Sequence, residues 1–345
     1  MTITEPSHHP RGCAGMPAQP HSPPPSPTLS PAAGVALAGA ALLGAGVVEN
    51  GRRARAAERA TPPVGRFVEV GGTRLHVLER GRGPALVLLH GNGSLIQDWL
   101  VSGLVDRAAE THRVVVVDRP GFGYSERPRS RIWTPAMQAG LIRGALHSLG
   151  VDEAVVLGHS WGAQVAIALA VQDPARVRAL ILESGYYFPS PRIDSLLFAP
   201  QSLPGLGDIL SHTVAPVTSR LLWPRILDRL FGPAPVPARF ARDFPVEMVL
   251  RPSQLRSAAA ESVLLVPDAF ALRPHYAALR MPVTILSGTG DRLLSHADQA
   301  VALHHHIPGS RLVAVAGAGH MLHQTAPDRV LAALSTAPCE RRSPL

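Results

Sequence analysis

Short apolar runs alternate with stretches of helical periodicity from about residue 67 to residue 334. The predicted helices are 97–110, 134–149, 161–172, 296–305 and 326–334. The predicted strands are 67–70, 74–79, 85–90, 113–118, 154–158, 179–183, 283–287 and 311–315. From the third onward they are mostly continuous apolar runs, typical of strands buried on both faces of a parallel sheet. The pattern predicts an α/β fold with a mostly parallel, doubly wound sheet of about eight strands.

The alternation stops between residues 186 and 276, where prolines and helical-looking apolar residues replace the strands. About ninety residues without a strand are too many for a loop in a compact domain. We therefore predict an inserted helical cap at 186–276. It divides the α/β core into a first part at 66–185 and a second part at 277–336, followed by a tail at 337–345.

The N-terminal region has a different composition. Residues 1–31 are rich in Pro, Ser and His and are predicted to be disordered. Residues 32–48 form an uncharged run of Ala, Gly, Val and Leu, and 49–65 is a basic linker. Two interpretations of 32–48 stay open. It is either a single-pass membrane anchor, which the positive-inside rule orients with the arginines and all that follows in the cytoplasm, or a flexible linker of a cytoplasmic protein.

Composition removes several classes of chemistry. The chain contains no lysine, so all 33 basic side chains are arginine. A Walker A loop, a pyridoxal phosphate enzyme and a Ser-Lys dyad each require a lysine. The net charge is +8, but the arginines are scattered, so no nucleic-acid partner is predicted. Cys13 and Cys339 lie near opposite ends, which indicates neither a disulfide framework nor a metal cage, and no cofactor is expected.

The strongest motif is Gly158-His159-Ser160-Trp161-Gly162, between an apolar strand and a helix rich in small residues. This context is that of a nucleophile elbow, where a serine occupies a tight turn and the flanking glycines let strand and helix approach closely. Ser160 is the predicted nucleophile.

A serine nucleophile needs a base, and the base needs a carboxylate that orients it. His320 follows the strand 311–315 and is the predicted base, preferred to His323 because of the small residues before it. Asp291 follows the strand 283–287 and is the predicted acid. Glu183, at the end of the strand 179–183, remains the alternative acid. All three lie at the carboxyl edge of the predicted sheet.

The loop His90-Gly91-Asn92-Gly93 also follows an apolar strand. Acyl transfer develops negative charge on an oxygen, and backbone amides that point at that oxygen lower the barrier. The amides of Asn92 and Trp161 are the predicted oxyanion hole. Phe122, in the turn after the strand 113–118, and Trp223, in the cap, are assigned to the substrate pocket.

Together these motifs resemble the α/β-hydrolase superfamily, in its serine-nucleophile, cap-containing form. The pieces are HGNG, DRPGFGYS, GHSWG, GTGD and GAGH, spread over residues 67–334. Haloalkane dehalogenases look similar around Asn92 and Trp161 but use an aspartate nucleophile, whereas Ser160 would form an ether that water cannot cleave. The resemblance implies a Ser160–His320–Asp291 triad and an acyl-enzyme intermediate.

The expected function is hydrolysis of an ester or related acyl bond in an apolar small molecule. Two alternatives are a cofactor-free perhydrolase or haloperoxidase with the same triad and a non-catalytic accessory protein on the same fold.

Overall fold

The computed structural model describes residues 1–4, 30–191 and 199–336. Most of the segment predicted to be disordered, and the whole tail at 337–345, lie outside the described residues. The chain divides into two compact units, residues 1–42 and 43–345. The described part of the first unit is largely the beginning of helix α1, Pro31–Ala60. The second unit contains the sheet, the remaining helices and the candidate site.

One mixed sheet organises the second unit. Its strands are β1 Arg66–Val70, β2 Thr73–Arg80, β3 Ala85–Leu89, β4 Arg113–Val117, β5 Ala154–His159, β6 Val177–Glu183, β7 Val283–Gly288 and β8 Arg311–Val315. Their order is β1-β2-β4-β3-β5-β6-β7-β8. The β1–β2 and β2–β4 pairs are antiparallel and the rest are parallel. The predicted fold class is confirmed.

The continuous apolar runs have a direct physical explanation, since successive side chains of a strand point to opposite faces. In β3, Val87 and Leu89 join one buried cluster with α4 Pro135–Ser148 and α5 Trp161–Gln172. Leu86 and Leu88 join the cluster on the other face. That cluster includes residues of α2 Ile96–Ser102, α3 Leu104–Ala108 and a late helix, Pro327–Ser335. Both faces of β3 are therefore covered, as a central strand requires.

Two predicted helices differ in the structure. The helix predicted at 97–110 is broken into α2 and α3 at Gly103, whose φ of 77° lies in the left-handed region that interrupts a helix. The helix predicted at 296–305 begins as a π-helix, His296–Val301, and continues as an α-helix, Ala302–His306. The basic segment predicted as a linker at 49–65 is helical as far as Ala60.

The chain between β6 and β7 is helical where it is described. It contains α6 Leu206–His212, α7 Val214–Phe231, α8 Ala238–Asp243, α9 Val246–Val249 and α10 Pro252–Leu272, then a 3-10 helix, Arg273–Ala278. No β-strand occurs in this insertion among residues 184–191 and 199–282. We refer to α6–α10 as the cap.

The N-terminal helix α1 passes the length and composition test for a membrane span. It includes a window of 18 residues with a mean hydropathy of 1.9, and none of that window is buried. By length and composition alone it is the one such helix in the part of the chain described here.

Candidate active site

Ser160 occupies a strained turn between β5 and α5. Its φ of 53° and ψ of −119° are unusual for a residue with a side chain. The two flanking glycines make the turn possible: a Cβ on Gly158 would lie 2.4 Å from the carbonyl oxygen of Gly162, and one on Gly162 would lie 2.3 Å from that of Leu89. The Ser160 amide donates to the Glu183 carbonyl, 2.8 Å away. The close packing forces the serine outward at the carboxyl edge of the sheet.

Two residues far apart in sequence form a buried pair beside this turn. The His320 Nδ1 atom lies 2.8 Å from Asp291 Oδ2, and the Asp291 Oδ1 atom accepts the amides of Leu293 and Leu294 at 2.8 and 3.1 Å. Burial opposes ionisation of Asp291, but His320 and the two amides outweigh it and lower the pKa of this carboxyl. Asp291 is thus held as an acceptor that fixes the orientation of the imidazole.

Glu183, the alternative acid, contacts a different histidine. Its Oε1 atom lies 2.7 Å from His323 Nδ1 and accepts the His323 amide at 2.9 Å. The His323 Nε2 atom lies 3.1 Å from Asp98 Oδ1 on its other side. Sequence reasoning missed this carboxylate–histidine–carboxylate arrangement. Among the described residues, the carboxylate that bonds the His320 ring is Asp291.

A buried cluster of polar side chains lies close to Ser160. The ligand atoms of Asp98, His159 and His323 lie within 4.8 Å of one another. Burial, followed by the neighbouring His323, lowers the pKa of His159 to about 3, so this ring is neutral. Burial alone would also lower the pKa of His323, but Glu183 and Asp98 raise it to about 10. A metal ion in this group would have to displace the proton that the carboxylates hold on His323.

The raised pKa of His323 predicts a specific dependence of stability on pH. The folded value of about 10 exceeds the ordinary value of 6.5, so this stabilisation is complete below pH 6.5 and is lost as the pH rises towards 10. We expect the unfolding free energy to fall by up to about 1.4 kcal/mol per pH unit in that window. Urea unfolding measured at several pH values checks this.

His323→Gln is expected to flatten that slope. The matched control is His147→Gln, at an exposed position of α4, which should leave the slope as it is in the unmodified protein. An equal slope in the His323 variant and the control would contradict the assignment of the proton to His323.

The loop after β3 is fixed by hydrogen bonds to the turn after β4. The His90 Nδ1 atom lies 2.8 Å from the Gly91 carbonyl, and its Nε2 atom accepts the Arg119 amide at 2.9 Å. The Arg119 guanidinium also donates to the His90 and Gly91 carbonyls at 2.6 and 2.9 Å. Both ring nitrogens of His90 are thus engaged within this loop and the neighbouring turn.

The predicted oxyanion residues lie at this loop and at the elbow. The Asn92 side chain donates to the Ala258 carbonyl and the Ser262 hydroxyl of α10, both at 3.1 Å, so it is occupied by the cap. The group predicted to contribute to the oxyanion hole is the backbone amide of Asn92, not its side chain. Trp161 is the first residue of α5, where amides have no acceptor within the helix.

A cavity of about 310 Å³ brings these residues together. Ser160, His320, Asn92 and Trp161 all line it. No hydrogen bond joins the Ser160 hydroxyl to the His320 ring in the described part of the structure. Such contacts are often long without substrate and shorten when it binds.

The cap supplies most of the apolar lining. Its contributions include Trp223, Ile226, Leu230, Phe240, Phe244 and Leu255. Trp223, assigned to the substrate pocket from the sequence, is one of these lining residues. Phe122 does not line the cavity: its ring is fully buried 5.4 Å from the His90 ring, with the Arg119 guanidinium 4.9 Å away. It supports the loop after β3 instead. Among the described lining residues there is no arginine.

Comparisons with known proteins agree with this architecture. The family model for the alpha/beta hydrolase fold matches residues 84–327. The chain belongs to this family, as the motif resemblance implied. In the crystal structure of Cfl2 from Burkholderia cenocepacia, 94% of that chain matches 78% of this one, with a TM-score of 0.65 and 24% identity.

Individual relatives have several different names. The chain is 34% identical to a 2-hydroxymuconate semialdehyde hydrolase of Pseudomonas putida over 135 residues, which is 39% of this chain and 48% of that protein. It is 28% identical to a haloalkane dehalogenase 2 of Mycobacterium tuberculosis over 274 residues, 76% of this chain and 90% of that one. The match to the first of these spans about half its length.

Proposed function

We propose that the protein is a serine hydrolase that cleaves an ester or related acyl bond. The observation that carries the proposal is the His320–Asp291 pair at 2.8 Å, with His320 lining the same cavity as the strained Ser160. A buried carboxylate that orients an imidazole near an outward-facing serine is the arrangement needed to activate a hydroxyl.

The reaction proceeds in two halves. Ser160 Oγ attacks the substrate carbonyl carbon while His320 Nε2 accepts its proton, and the amides of Asn92 and Trp161 stabilise the oxyanion. Collapse breaks the bond to the leaving group, which takes the proton from His320. Water then attacks the acyl-enzyme with His320 as base, releasing the acid and restoring Ser160.

The lining of the cavity supports a neutral, apolar acyl or alcohol group as substrate. Its volume is at the lower end of the usual range for small-molecule sites, about 300 Å³ upward. A free carboxylate on the substrate would need a cationic partner, and the described lining offers no arginine. Alkyl-halide chemistry is not favoured, because the elbow carries a serine and the Asn92 side chain is bonded to the cap.

We also propose that residues 32–48 anchor the protein in a membrane as a single-pass span. Their lack of charge and the arginines that follow support this, with the hydrolase domain on the cytoplasmic side.

A fluorophosphonate probe tests the hydrolase proposal. We expect the probe to label Ser160 of the full chain, identified by mass spectrometry of the modified peptide, and Asp291→Asn to slow labelling about 10⁴-fold because the imidazole tautomer is no longer fixed. The matched control is Asp298→Asn, an exposed carboxylate nearby that should label at the normal rate. Absence of labelling in folded protein, or equal rates in both variants, would refute the triad.

A further inference from the structure

Helix α7 has two apolar sides that face in opposite directions. Its residues Ser219, Trp223, Ile226 and Leu230 line the cavity. At about 100° per residue, Val214, Val217 and Leu221 lie on the opposite side of the helix. All three are exposed, with Leu221 at 75%. The apolar face of a helix is normally buried against another apolar surface. The exposed side of α7 is therefore a candidate contact surface.

The exposed apolar surface extends onto the neighbouring helix. We call it the α6–α7 face, and its members are Leu206, Ile209, Val214, Val217 and Leu221, with Leu203 in the turn just before α6. Polarity changes along α7: the exposed positions in its second half include Arg225, Asp228 and Arg229. A helix that is apolar at one end and charged at the other suits the boundary between hydrocarbon and water.

The end of the candidate span packs directly beside this face. The Asn50 side chain is buried and donates to the carbonyls of His212 and Thr213, both at 3.0 Å, where α6 meets α7. Gly46 also lies against Thr213. Leu43, Val47 and Val48 of α1 are also exposed apolar residues in this part of the helix. The segment that passes the test for a membrane span therefore ends where α6 meets α7, next in sequence to Val214 of the α6–α7 face.

We propose that the α6–α7 face lies in the surface of a lipid bilayer and that the enzyme takes its substrate from that bilayer. Its substrates are then amphiphilic acyl esters whose chain moves from the membrane past α7 into the cavity, with the reacting carbonyl reaching Ser160. The substrate class rests on the proposed hydrolase function. Contact between the α6–α7 face and lipid does not depend on it.

The contact is tested with a fluorophore sensitive to polarity. In the full chain with Cys13→Ser and Cys339→Ser, the dye is attached at Val217→Cys or, as control, at Met137→Cys on α4, which is similarly exposed at 43% against 49%. The protein is reconstituted in phosphatidylcholine vesicles. We expect a blue shift and strong quenching by brominated phosphatidylcholine at residue 217, and little change at 137. Equal quenching at both positions would overturn the proposal.

A face covered by something else gives a different result. If the dye at residue 217 is already shielded in detergent and becomes exposed on dilution, a second copy of the chain covers the face. If it is shielded at every concentration and indifferent to lipid, another part of the chain covers it. Either outcome overturns the bilayer assignment.

The substrate class is tested by comparing two esters. The variant Leu206→Gln/Ile209→Gln/Val217→Gln/Leu221→Gln keeps α1 and the cavity lining intact. We expect unchanged hydrolysis of a short, water-soluble ester and about a tenfold loss with a long-chain ester held in phosphatidylcholine vesicles. Equal loss with both esters, or with neither, would refute lipid-derived substrates. Failure of the hydrolase function shows itself separately, as no Ser160-dependent turnover of either ester.

Discussion

Ser160→Ala is expected to lower kcat for an activated ester by about 10⁵- to 10⁶-fold, with KM little changed. The variant removes the atom that forms the acyl-enzyme and leaves only general stabilisation of the oxyanion. The fold should tolerate it, because the Ser160 side chain makes no hydrogen bond in the described structure. Its backbone conformation is equally unusual for serine and alanine, so no new strain arises.

Steady-state hydrolysis of a p-nitrophenyl ester provides the measurement. Ser219→Ala is the matched control, since Ser219 lines the same cavity but has no assigned step, and its kcat should stay within about twofold. His320→Ala should cost about as much as Ser160→Ala, and the double variant no more than either, because the two residues act as one unit. A Ser160→Ala protein that keeps a tenth of the activity would refute covalent catalysis.

The sheet could be predicted because its information is local. A strand covered by helices on both faces must be apolar at almost every position. The strands from β3 to β8 have that sequence pattern, although β8, at the edge of the sheet, is only partly buried. Helix boundaries depended on single residues. Gly103 breaks α2 from α3 by adopting a left-handed conformation, which composition does not reveal.

The acid of the candidate triad shows where local information ends. Glu183 ends β6 and Asp291 follows β7, both at the carboxyl edge of the sheet, so sequence position does not separate them. The separation comes from the start of the helix Leu322–Thr325, which brings both the amide and the ring of His323 to Glu183. His320 is left to Asp291. The sequence does contain one signal for this arrangement. His323 follows His320 by three residues, and a second buried histidine needs a hydrogen-bond acceptor of its own.

Phe122 was assigned to the substrate pocket because it lies in the turn after a strand, at the same carboxyl edge of the sheet as Ser160. Its position depends on Arg119, whose side chain turns inward and lies over the Phe122 ring. Nothing in the local sequence indicates that this arginine is fully buried. Its partner, Glu261, is 142 residues away in the cap.

Glu261→Gln is expected to destabilise the protein by about 3–5 kcal/mol. Glu261 and Arg119 are both fully buried and form a bidentate salt bridge, in which the two guanidinium nitrogens Nη1 and Nη2 donate to the two carboxylate oxygens at 2.6 and 3.0 Å. The amide would leave the Arg119 charge without a counterion in the interior, and Arg127, 3.6 Å from Glu261, would lose its partner too. The free energy of unfolding in urea measures the effect.

The matched control is Glu247→Gln, which weakens the bidentate salt bridge between Glu247 and Arg220 within the cap. That pair is partly exposed, with 42% of the Glu247 side chain accessible, so its loss should cost less than about 1 kcal/mol. A cost for Glu261→Gln no larger than for Glu247→Gln would show that the buried pair contributes little.

The same variant connects stability with catalysis. Arg119 also donates to the His90 and Gly91 carbonyls. Through its bond to Glu261, it therefore connects the cap helix α10 with the loop that contains Asn92. Glu261→Gln should therefore lower kcat as well, through a less ordered oxyanion loop. Because the double variant removes the buried Arg119 charge along with its counterion and leaves only Arg127 without its partner, Arg119→Met/Glu261→Leu should recover part of the lost stability. It should not recover kcat, since methionine cannot hold the two carbonyls, and recovery of both would show that the pair acts only through stability.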